Sequence, residues 1–296
     1  MIRLFFGLLL TLSALPGLSQ QYSVALGVYG GMTVPYTLDD GMDKDPRYKS
    51  RYTVKGQPIG LSFTMDYEHY GFQISPGMFT LGQDYYVVNS AGGQDGDRSL
   101  DLSYVMLPAS FKIHLIDLSF FRVSAMATGS VGFLYGVSDV LKHDYTKLRF
   151  PLETYPLLPQ PPYSVEYDGV ISPATDLAIS GKGDYKSIQV FAGVGLCADW
   201  NVTQHWRVNF DVRVNYGLFD SRQDEYKARI ARYESVYELP GDRREMFAQV
   251  SIGIARFLDF DKADRDREKN LKGGKKKFEP RKQVKIKPSR KRTKLR

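Results

Sequence analysis

Hydrophobic and polar residues alternate one by one through much of the chain, most clearly from Trp206 to Leu218. In that run every even position is apolar or aromatic, and every odd position is polar or glycine. A repeat of two is typical of a β-strand whose two faces differ in chemistry. Eight such runs predict strands at residues 21–34, 58–68, 71–81, 101–115, 120–136, 186–200, 205–218 and 245–258.

The predicted strands are long, and their connections alternate in length. Most runs hold ten or more residues, whereas ordinary strands average about five or six and a tilted strand needs about 9–11 to cross a bilayer. The connections are alternately long and tight, at residues 37–56, 68–71, 82–99, 116–119, 137–185, 201–204 and 219–244. The proline-rich loop 137–185 is expected to be irregular and partly extended. Tight turns at one end and long loops at the other are typical of an up-and-down transmembrane barrel.

The chemistry of the two strand faces indicates which face meets lipid. The apolar face of the sixth run carries Ile188, Val190, Ala192, Val194, Leu196, Ala198 and Trp200. Its opposite face carries Gln189, Phe191, Gly193, Gly195, Cys197 and Asp199. The polar faces are rich in small residues and lack the many Lys and Glu of a water-exposed surface, while aromatic residues near the strand ends match membrane girdles. We therefore predict an all-β, eight-stranded antiparallel up-and-down transmembrane β-barrel at residues 20–260, with a soluble lipocalin-like barrel as the alternative.

Eight charged residues fall on or next to the predicted interior face: Asp66, Glu68, Lys112, Arg122, Asp199, Arg207, Asp211 and Arg213. Enclosed charges need partners, and this set holds four acids and four bases. Two interpretations remain open, namely ion pairs that fill and rigidify the barrel, or a path for protons or ions. Eight strands enclose too little room for an open channel.

The N-terminus predicts export. Residues 1–19 combine a short basic start, an apolar core from Leu4 to Leu12 and small residues at Gly17 and Ser19, which is the pattern of a secretory signal peptide. No apolar run is long enough for a transmembrane helix. The single cysteine, Cys197, excludes an intramolecular disulfide. The expected location is the outer membrane of a Gram-negative cell, with both termini in the periplasm because the strand count is even.

Residues 261–296 form a basic tail. They hold 17 Lys and Arg against five Asp and Glu, so the tail carries +12 and the rest of this +7 chain carries −5. Too few apolar residues are present to form a core, which predicts disorder. The candidate partner-binding residues are Lys275, Lys276, Lys277, Arg281, Lys282, Lys285, Lys287, Arg290, Lys291 and Arg292. Export excludes nucleic acid, so outer-membrane lipid and an acidic periplasmic protein or peptidoglycan are the expected partners. A purely solubilising tail is the alternative.

Catalytic chemistry has one weak candidate, His143. Its neighbours in the sequence include Ser138, Asp139 and Asp144, but no nucleophile motif such as G-x-S-x-G supports a hydrolase. The sequence therefore predicts no enzyme, no catalytic residue, no cofactor, no metal and no small-molecule substrate.

Two segments carry a family resemblance. Tyr104–Lys112 reads Y-V-M-L-P-A-S-F-K, and Phe191–Leu196 reads F-A-G-V-G-L before a short turn into Val208–Tyr216. With the Ser-Gln-Gln junction that follows the signal peptide, they resemble the Bacteroidota outer-membrane β-barrel family that includes the PorT-like proteins of the type IX secretion system. The likeness covers about residues 20–258, and the basic tail is not a usual part of it.

The resemblance implies a non-catalytic accessory or anchoring component of a protein secretion or envelope complex, whose tail binds an acidic periplasmic partner. Two alternatives remain open. The first is an OmpA-like tether that binds peptidoglycan through the tail, and the second is a small lipid-modifying outer-membrane enzyme built around His143. The family supplies no catalytic residues to carry over to this chain.

Overall fold

The computed structural model describes residues 22–118, 120–158, 163–166 and 169–258. The chain divides into two units, Met1–Leu258 and Asp259–Arg296, and every described residue belongs to the first. The predicted signal peptide and basic tail, with all ten tail residues named above, lie outside the described residues. Within those residues no helix is both long and apolar enough to cross a membrane.

Strands dominate the described part of the chain. In chain order they are β1 (Ser23–Asp39), β2 (Tyr48–Arg51), β3 (Lys55–Asp66), β4 (Tyr70–Ile74), β5 (Gly77–Leu81), β6 (Asp84–Val88), β7 (Gln94–Asp117), β8 (Phe121–His143), β9 (Thr146–Leu148), β10 (Ser164–Glu166), β11 (Gly169–Ser172), β12 (Thr175–Ser180), β13 (Ile188–Asn201), β14 (Trp206–Gly217) and β15 (Arg243–Phe257). The helices are α1 (Asp40–Lys44) and α2 (Asp224–Ala231), with 3₁₀ turns at Leu152–Leu157 and Lys182–Asp184.

The barrel wall has eight strand positions, one of which is shared by two short strands, and they close into one antiparallel ring. This confirms the predicted barrel. Around the ring the strands are β1, β3, β4 together with β5, β7, β8, β13, β14 and β15. The ring closes because β15 pairs with β1 from Ala25↔Phe257 to Asp39↔Arg243. The third wall position is divided between β4 and β5, since Ser75 and Pro76 interrupt it.

The apolar face of each wall strand points outward, as the sequence predicts. On β13, Val194 and Leu196 are 66% and 55% exposed, while Cys197 on the opposite face is buried. Aromatic residues of the outward face lie near both ends of β14, where Trp206 is exposed and Tyr216 is half-buried. Ten residue steps at about 3.3 Å each, tilted by about 40°, make a band about 25 Å tall, which matches the apolar band of an outer-membrane barrel.

Two strands rise far above this band. β7 and β8 hold 24 and 23 residues, about twice what a tilted membrane-spanning strand needs. Their upper parts pair with each other, and β6 and β12 pair beside them. The predicted ends of these strands, at residues 101 and 136, were therefore too short. The loop 137–185, which was expected to be irregular and partly extended, contains the end of β8 and the paired strands β9, β11 and β12.

The polarity of the strand faces inverts above the lipid band. On the upper part of β7, Leu100 and Leu102 point inward and are buried, while Asp97 and Ser99 point outward and are exposed. This is the pattern of a water-soluble sheet. The upper parts of β7 and β8 therefore extend beyond the lipid band. They form the base of a folded structure at the long-loop end of the ring, which we call the cap.

Candidate functional site

The interior of the ring and the cap hold four successive layers of side chains. From the tight-turn end to the long-loop end, we name them the turn-side ionic layer, the apolar layer, the loop-side ionic layer and the cap core. One strand crosses most of them, because the inward positions of β7 run from Lys112 through Tyr104 and Leu100 to Arg98.

The turn-side ionic layer contains Asp66, Lys112, Asp199, Arg207, Asp211 and Arg213, all buried. Arg207 donates to Asp66 and lies 3.8 Å from an oxygen of Asp199. Nζ of Lys112 lies 3.5 Å from the same Asp199 oxygen, so one carboxylate faces two cations. Nη2 of Arg213 donates to Oδ2 of Asp211 at 2.6 Å. Six of the eight charges expected inside are thus brought together as ion pairs.

The other two predicted charges lie at the tight-turn end. Arg122 is at the rim, where its Nη2 lies 2.7 Å from Asp117 and its Nη1 lies 3.6 Å from Asp66. The prediction for Glu68 was wrong, because its side chain is 75% exposed. β3 ends at Asp66, so the alternation that assigned Glu68 to the interior no longer applies to it.

The apolar layer lies above these ion pairs and was not predicted. It consists of Phe79, Leu81, Leu100, Leu102, Tyr104, Met106, Leu134, Tyr185, Phe191 and Phe247. The ring of Phe247 lies 5.7 Å from that of Phe191 and 6.2 Å from that of Phe79. A Cβ at Gly132 would lie 3.2 Å from the Tyr104 ring, so this glycine lets the aromatic rings approach the wall.

The loop-side ionic layer was not predicted from the sequence either. Asp39 lies 2.6 Å from Nη2 of Arg222 and 3.2 Å from Nη1 of Arg243, and Nε of Arg243 lies 2.7 Å from Glu245. These four side chains are all buried. The signal was present, since Thr37 and Asp39 continue the inward alternation of β1 beyond residue 34, where the predicted strand stopped.

A second buried cluster ties the cap to this layer. Nη2 of Arg98 lies 2.7 Å from Asp139 on β8 and 2.9 Å from Glu238 in the segment between α2 and β15. The hydroxyl of Tyr226 on α2 donates to the same Glu238. Burial raises the pKa of Tyr226, so it remains a neutral donor.

The long loops share one hydrophobic core. The cap core consists of Met42, Tyr48, Tyr85, Val87, Leu141, Leu148, Phe150, Leu158, Val170 and Tyr237. The guanidinium of Arg47 lies 4.4 Å from the centre of the Phe150 ring and 2.6 Å from an oxygen of Asp45. Burial opposes the charge of Arg47, but the neighbouring Asp45 carboxylate, Tyr48 and Tyr237 together hold the pKa of Arg47 above its ordinary value. The long loops are therefore a folded unit and not separate flexible arms.

The candidate catalytic residue His143 contacts two other groups of the cap. Nδ1 of His143 lies 2.8 Å from the carbonyl oxygen of Asp144, and Nε2 lies 3.3 Å from the hydroxyl of Tyr237. Asp139 bonds with Arg98 and Ser180. An open cleft of about 610 Å³ on the cap is lined by residues including Asp97, Lys142 and Asp176. In the described ranges no cluster of His, Cys, Asp or Glu is arranged to hold a metal ion.

An eight-stranded closed ring with a lipid-facing apolar band defines the class of the protein, an integral β-barrel of the outer-membrane type. The sequence matches the family "Outer membrane protein beta-barrel domain" over residues 18–223, and the chain belongs to that family. An outer-membrane location follows from this membership. No curated protein sequence matches the chain.

Three solved structures illustrate what this chain is similar to. OprG from Pseudomonas aeruginosa is 11% identical, with 82% of this chain and 99% of that chain covered and a TM-score of 0.40. The outer membrane protease OmpT from Escherichia coli is 10% identical, with the same coverages and a TM-score of 0.38. Ail, the attachment invasion locus protein of Yersinia pestis, is 11% identical, covers 81% and 99%, and has a TM-score of 0.30. At these identities the likeness concerns the fold alone.

Proposed function

We propose that this protein is a non-conducting, non-catalytic outer-membrane anchor that serves as an accessory component of a secretion or envelope complex, of the PorT-like kind. The observation that carries the proposal is the filled interior. Paired charges, packed aromatic rings and a second set of paired charges follow one another between the two ends of the ring. A barrel filled in this way leaves the cap and the chain termini to interact with other molecules.

A filled interior predicts the absence of ion conduction. After reconstitution into planar bilayers, the folded protein is expected to produce no stepwise currents, because ion flow would require dismantling the apolar layer. The measurement is single-channel recording, with heat-dependent gel migration as the control for folding. Reproducible conductance steps from the folded, intact protein would contradict the proposal and favour the ion-path interpretation of the interior charges.

The placement of the termini supports a role for the basic tail. β1 begins and β15 ends at the tight-turn end of the ring, since Ser23 pairs with Asp66 and Ala25 pairs with Phe257. In the proposed orientation this end faces the periplasm. There, each Lys or Arg close to an anionic surface contributes about 1 kcal/mol, so a tail with many cations can hold an acidic partner without a folded interface.

The tail proposal predicts charge-dependent capture. A peptide of residues 261–296 is expected to retain acidic periplasmic protein from a fractionated extract at low salt and to lose it at high salt. The matched control is the same peptide with Gln at its Lys and Arg positions. Retention of purified peptidoglycan instead of protein would favour the tether alternative. If the basic peptide and its Gln-substituted control retain the same material, the tail is merely solubilising.

The lipid-modifying alternative receives little support from the geometry. Both ring nitrogens of His143 are engaged by Asp144 and Tyr237, and neither contact is a serine hydroxyl. The side chain is also buried within the cap. We therefore retain the non-catalytic proposal.

A further inference from the structure

An apolar groove lies on the lipid-facing surface of β14, β15 and β1. It has a volume of about 320 Å³ and is lined by Val28, Tyr29, Gly30, Val208, Ile252, Gly253 and Ile254. That volume is at the lower end of the range of ligand pockets, about 300–1,000 Å³. We call this depression the groove. Because it lies on the outer surface of the ring, a molecule that occupies it leaves the packed interior unchanged.

The floor of the groove is formed where a side chain is missing. Gly30 is at an outward position of β1 and pairs with Ile252 on β15. A Cβ added at Gly30 would meet no described atom within 4 Å. Toward the tight-turn end, Ile254 pairs with Val28 and with Val208, and these three residues form the next outward row. The groove is therefore bounded by branched apolar side chains on all three strands.

An arginine lies at the tight-turn end of the groove. Arg256 is exposed on β15, where it pairs with Trp206 of β14 and Leu26 of β1. Among the described residues, no side chain forms an ion pair or a hydrogen bond with its guanidinium. Trp206 belongs to the aromatic end of the lipid band, and indole rings favour the membrane interface. The guanidinium therefore lies at the level of the lipid headgroups, where it meets the anions of the membrane.

The spacing between the arginine and the groove suits a single lipid molecule. Arg256 and Ile252 are four residues apart on β15, which is about 10 Å along the membrane normal at about 3.3 Å per residue and a tilt of about 40°. A phospholipid holds its phosphate at the interface and its acyl chain directly beside it in the hydrocarbon, so one molecule spans both features. Guanidinium groups bind phosphate through two parallel hydrogen bonds. A groove gives the chain more close contacts than a flat wall does.

We propose that the groove and Arg256 form a binding site for one anionic phospholipid, whose phosphate binds the guanidinium and whose acyl chain lies in the groove. Charge favours this occupant. A second copy of the chain docked here would place an apolar wall against an unneutralised cation, whereas an anionic lipid matches both the cation and the apolar surface. In the proposed orientation of the barrel, the lipid belongs to the periplasmic leaflet.

The chain supplies its own reporter for this site. It contains two tryptophans, Trp200 and Trp206, and Trp200→Phe leaves the indole beside Arg256 as the only one. The full chain is reconstituted into phosphatidylcholine vesicles that contain a small fraction of brominated phosphatidylglycerol or, in parallel, of brominated phosphatidylcholine. Bromine on the acyl chain quenches tryptophan fluorescence on contact, so the quenching measures how often each lipid occupies the site.

Selective binding predicts that brominated phosphatidylglycerol quenches Trp206 with an apparent affinity about fivefold higher than that of brominated phosphatidylcholine, the effect of one cation close to an anionic group. Arg256→Gln is expected to abolish this preference, and Arg256→Lys to retain part of it. Arg244→Gln is the matched control, because Arg244 is exposed near the opposite end of β15. That variant should keep the preference of the parent protein.

A second variant tests the groove without changing any charge. Gly30→Leu fills the floor and is expected to remove most of the preference, because the acyl chain no longer fits beside Ile252. Gly129→Leu on β8 is the matched control, since a Cβ at Gly129 also meets no described atom within 4 Å but lies outside the groove. Heat-dependent gel migration checks folding. If Gly30→Leu does not fold, Val208→Phe narrows the groove from β14 instead.

Four results would overturn the proposal. Equal quenching of Trp206 by the two lipids would mean that no selective site exists. A preference that survives filling of the groove would mean that Arg256 attracts headgroups without a bound chain. An equal preference at Phe111→Trp, on β7 at the opposite side of the ring and with both native tryptophans replaced by Phe, would mean general attraction of anionic lipid to the protein. Little quenching by either lipid, together with a cross-linked dimer, would mean that a second copy covers the groove.

Discussion

Replacing Val194 with arginine is expected to destabilise the folded barrel by about 2–4 kcal/mol, the cost of an arginine near the middle of the lipid face of a β-barrel. Val194 points outward from β13, between Ala127 and Val214 on the neighbouring strands, and is 66% exposed. The same substitution on a water-exposed surface would change the free energy of unfolding by about 0.5 kcal/mol or less. The variant therefore measures directly which solvent this face meets.

The measurement is the free energy of unfolding in urea, followed by heat-dependent gel migration of the protein in phospholipid vesicles. Ala178→Arg is the matched control, because Ala178 is exposed on β12 of the cap, above the lipid band. That variant should unfold with the wild-type free energy. A Val194→Arg protein as stable as the control would reverse the assignment of the lipid-facing side and remove the basis of every membrane-dependent proposal above.

The lipid band of the barrel could be predicted from the sequence because its signal is local. A period of two, sustained through Trp206–Tyr216, identifies a strand, and the small polar residues of one face indicate that this face is enclosed. The chemistry holds around the ring because hydrocarbon imposes the same requirement on every strand. For this reason the ring and its outward face agree with the sequence analysis.

The strand ends could not be predicted in the same way, because the solvent changes along the strand. On β7 the inward positions pass from Lys112 to Leu102 and Leu100, while the outward positions pass from Ile113 to Asp97. A prediction that requires polar residues on the inward face ends the strand where this inversion begins. On β8 the pairing shifts between Tyr104↔Leu134 and Ser103↔Gly136, so Asp139 and Leu141 face inward in spite of their odd numbers.

The pairing of charged residues within the ionic layers could not be predicted from the sequence, for a different reason. Asp39 bonds with Arg222, 183 positions away, and Arg98 bonds with Glu238, 140 positions away. Neither charge has a local pattern that identifies its partner, since the contact exists only after the ring has closed. Composition can indicate that enclosed charges must pair, but only the fold determines which loops they join.

The Arg98 cluster is where this long-range pairing should matter most. Arg98→Met is expected to destabilise the cap by about 3–5 kcal/mol, because it leaves the buried carboxylates of Asp139 and Glu238 without their shared cation. The guanidinium also donates to the carbonyl oxygen of Tyr237 at 3.4 Å, so the variant releases a residue of the cap core. The ring below is paired through its backbone and should remain folded.

Limited proteolysis of the protein in vesicles distinguishes unfolding of the cap from unfolding of the ring. Cleavage after residues of the long loops should become much faster in Arg98→Met, while heat-dependent migration of the ring is retained. Arg51→Met is the matched control, since Arg51 forms an exposed pair with Asp97, and such pairs contribute about 0–1 kcal/mol. Equal protease resistance of the two variants would show that the cap does not depend on Arg98, and the cap core alone would then have to hold the long loops together.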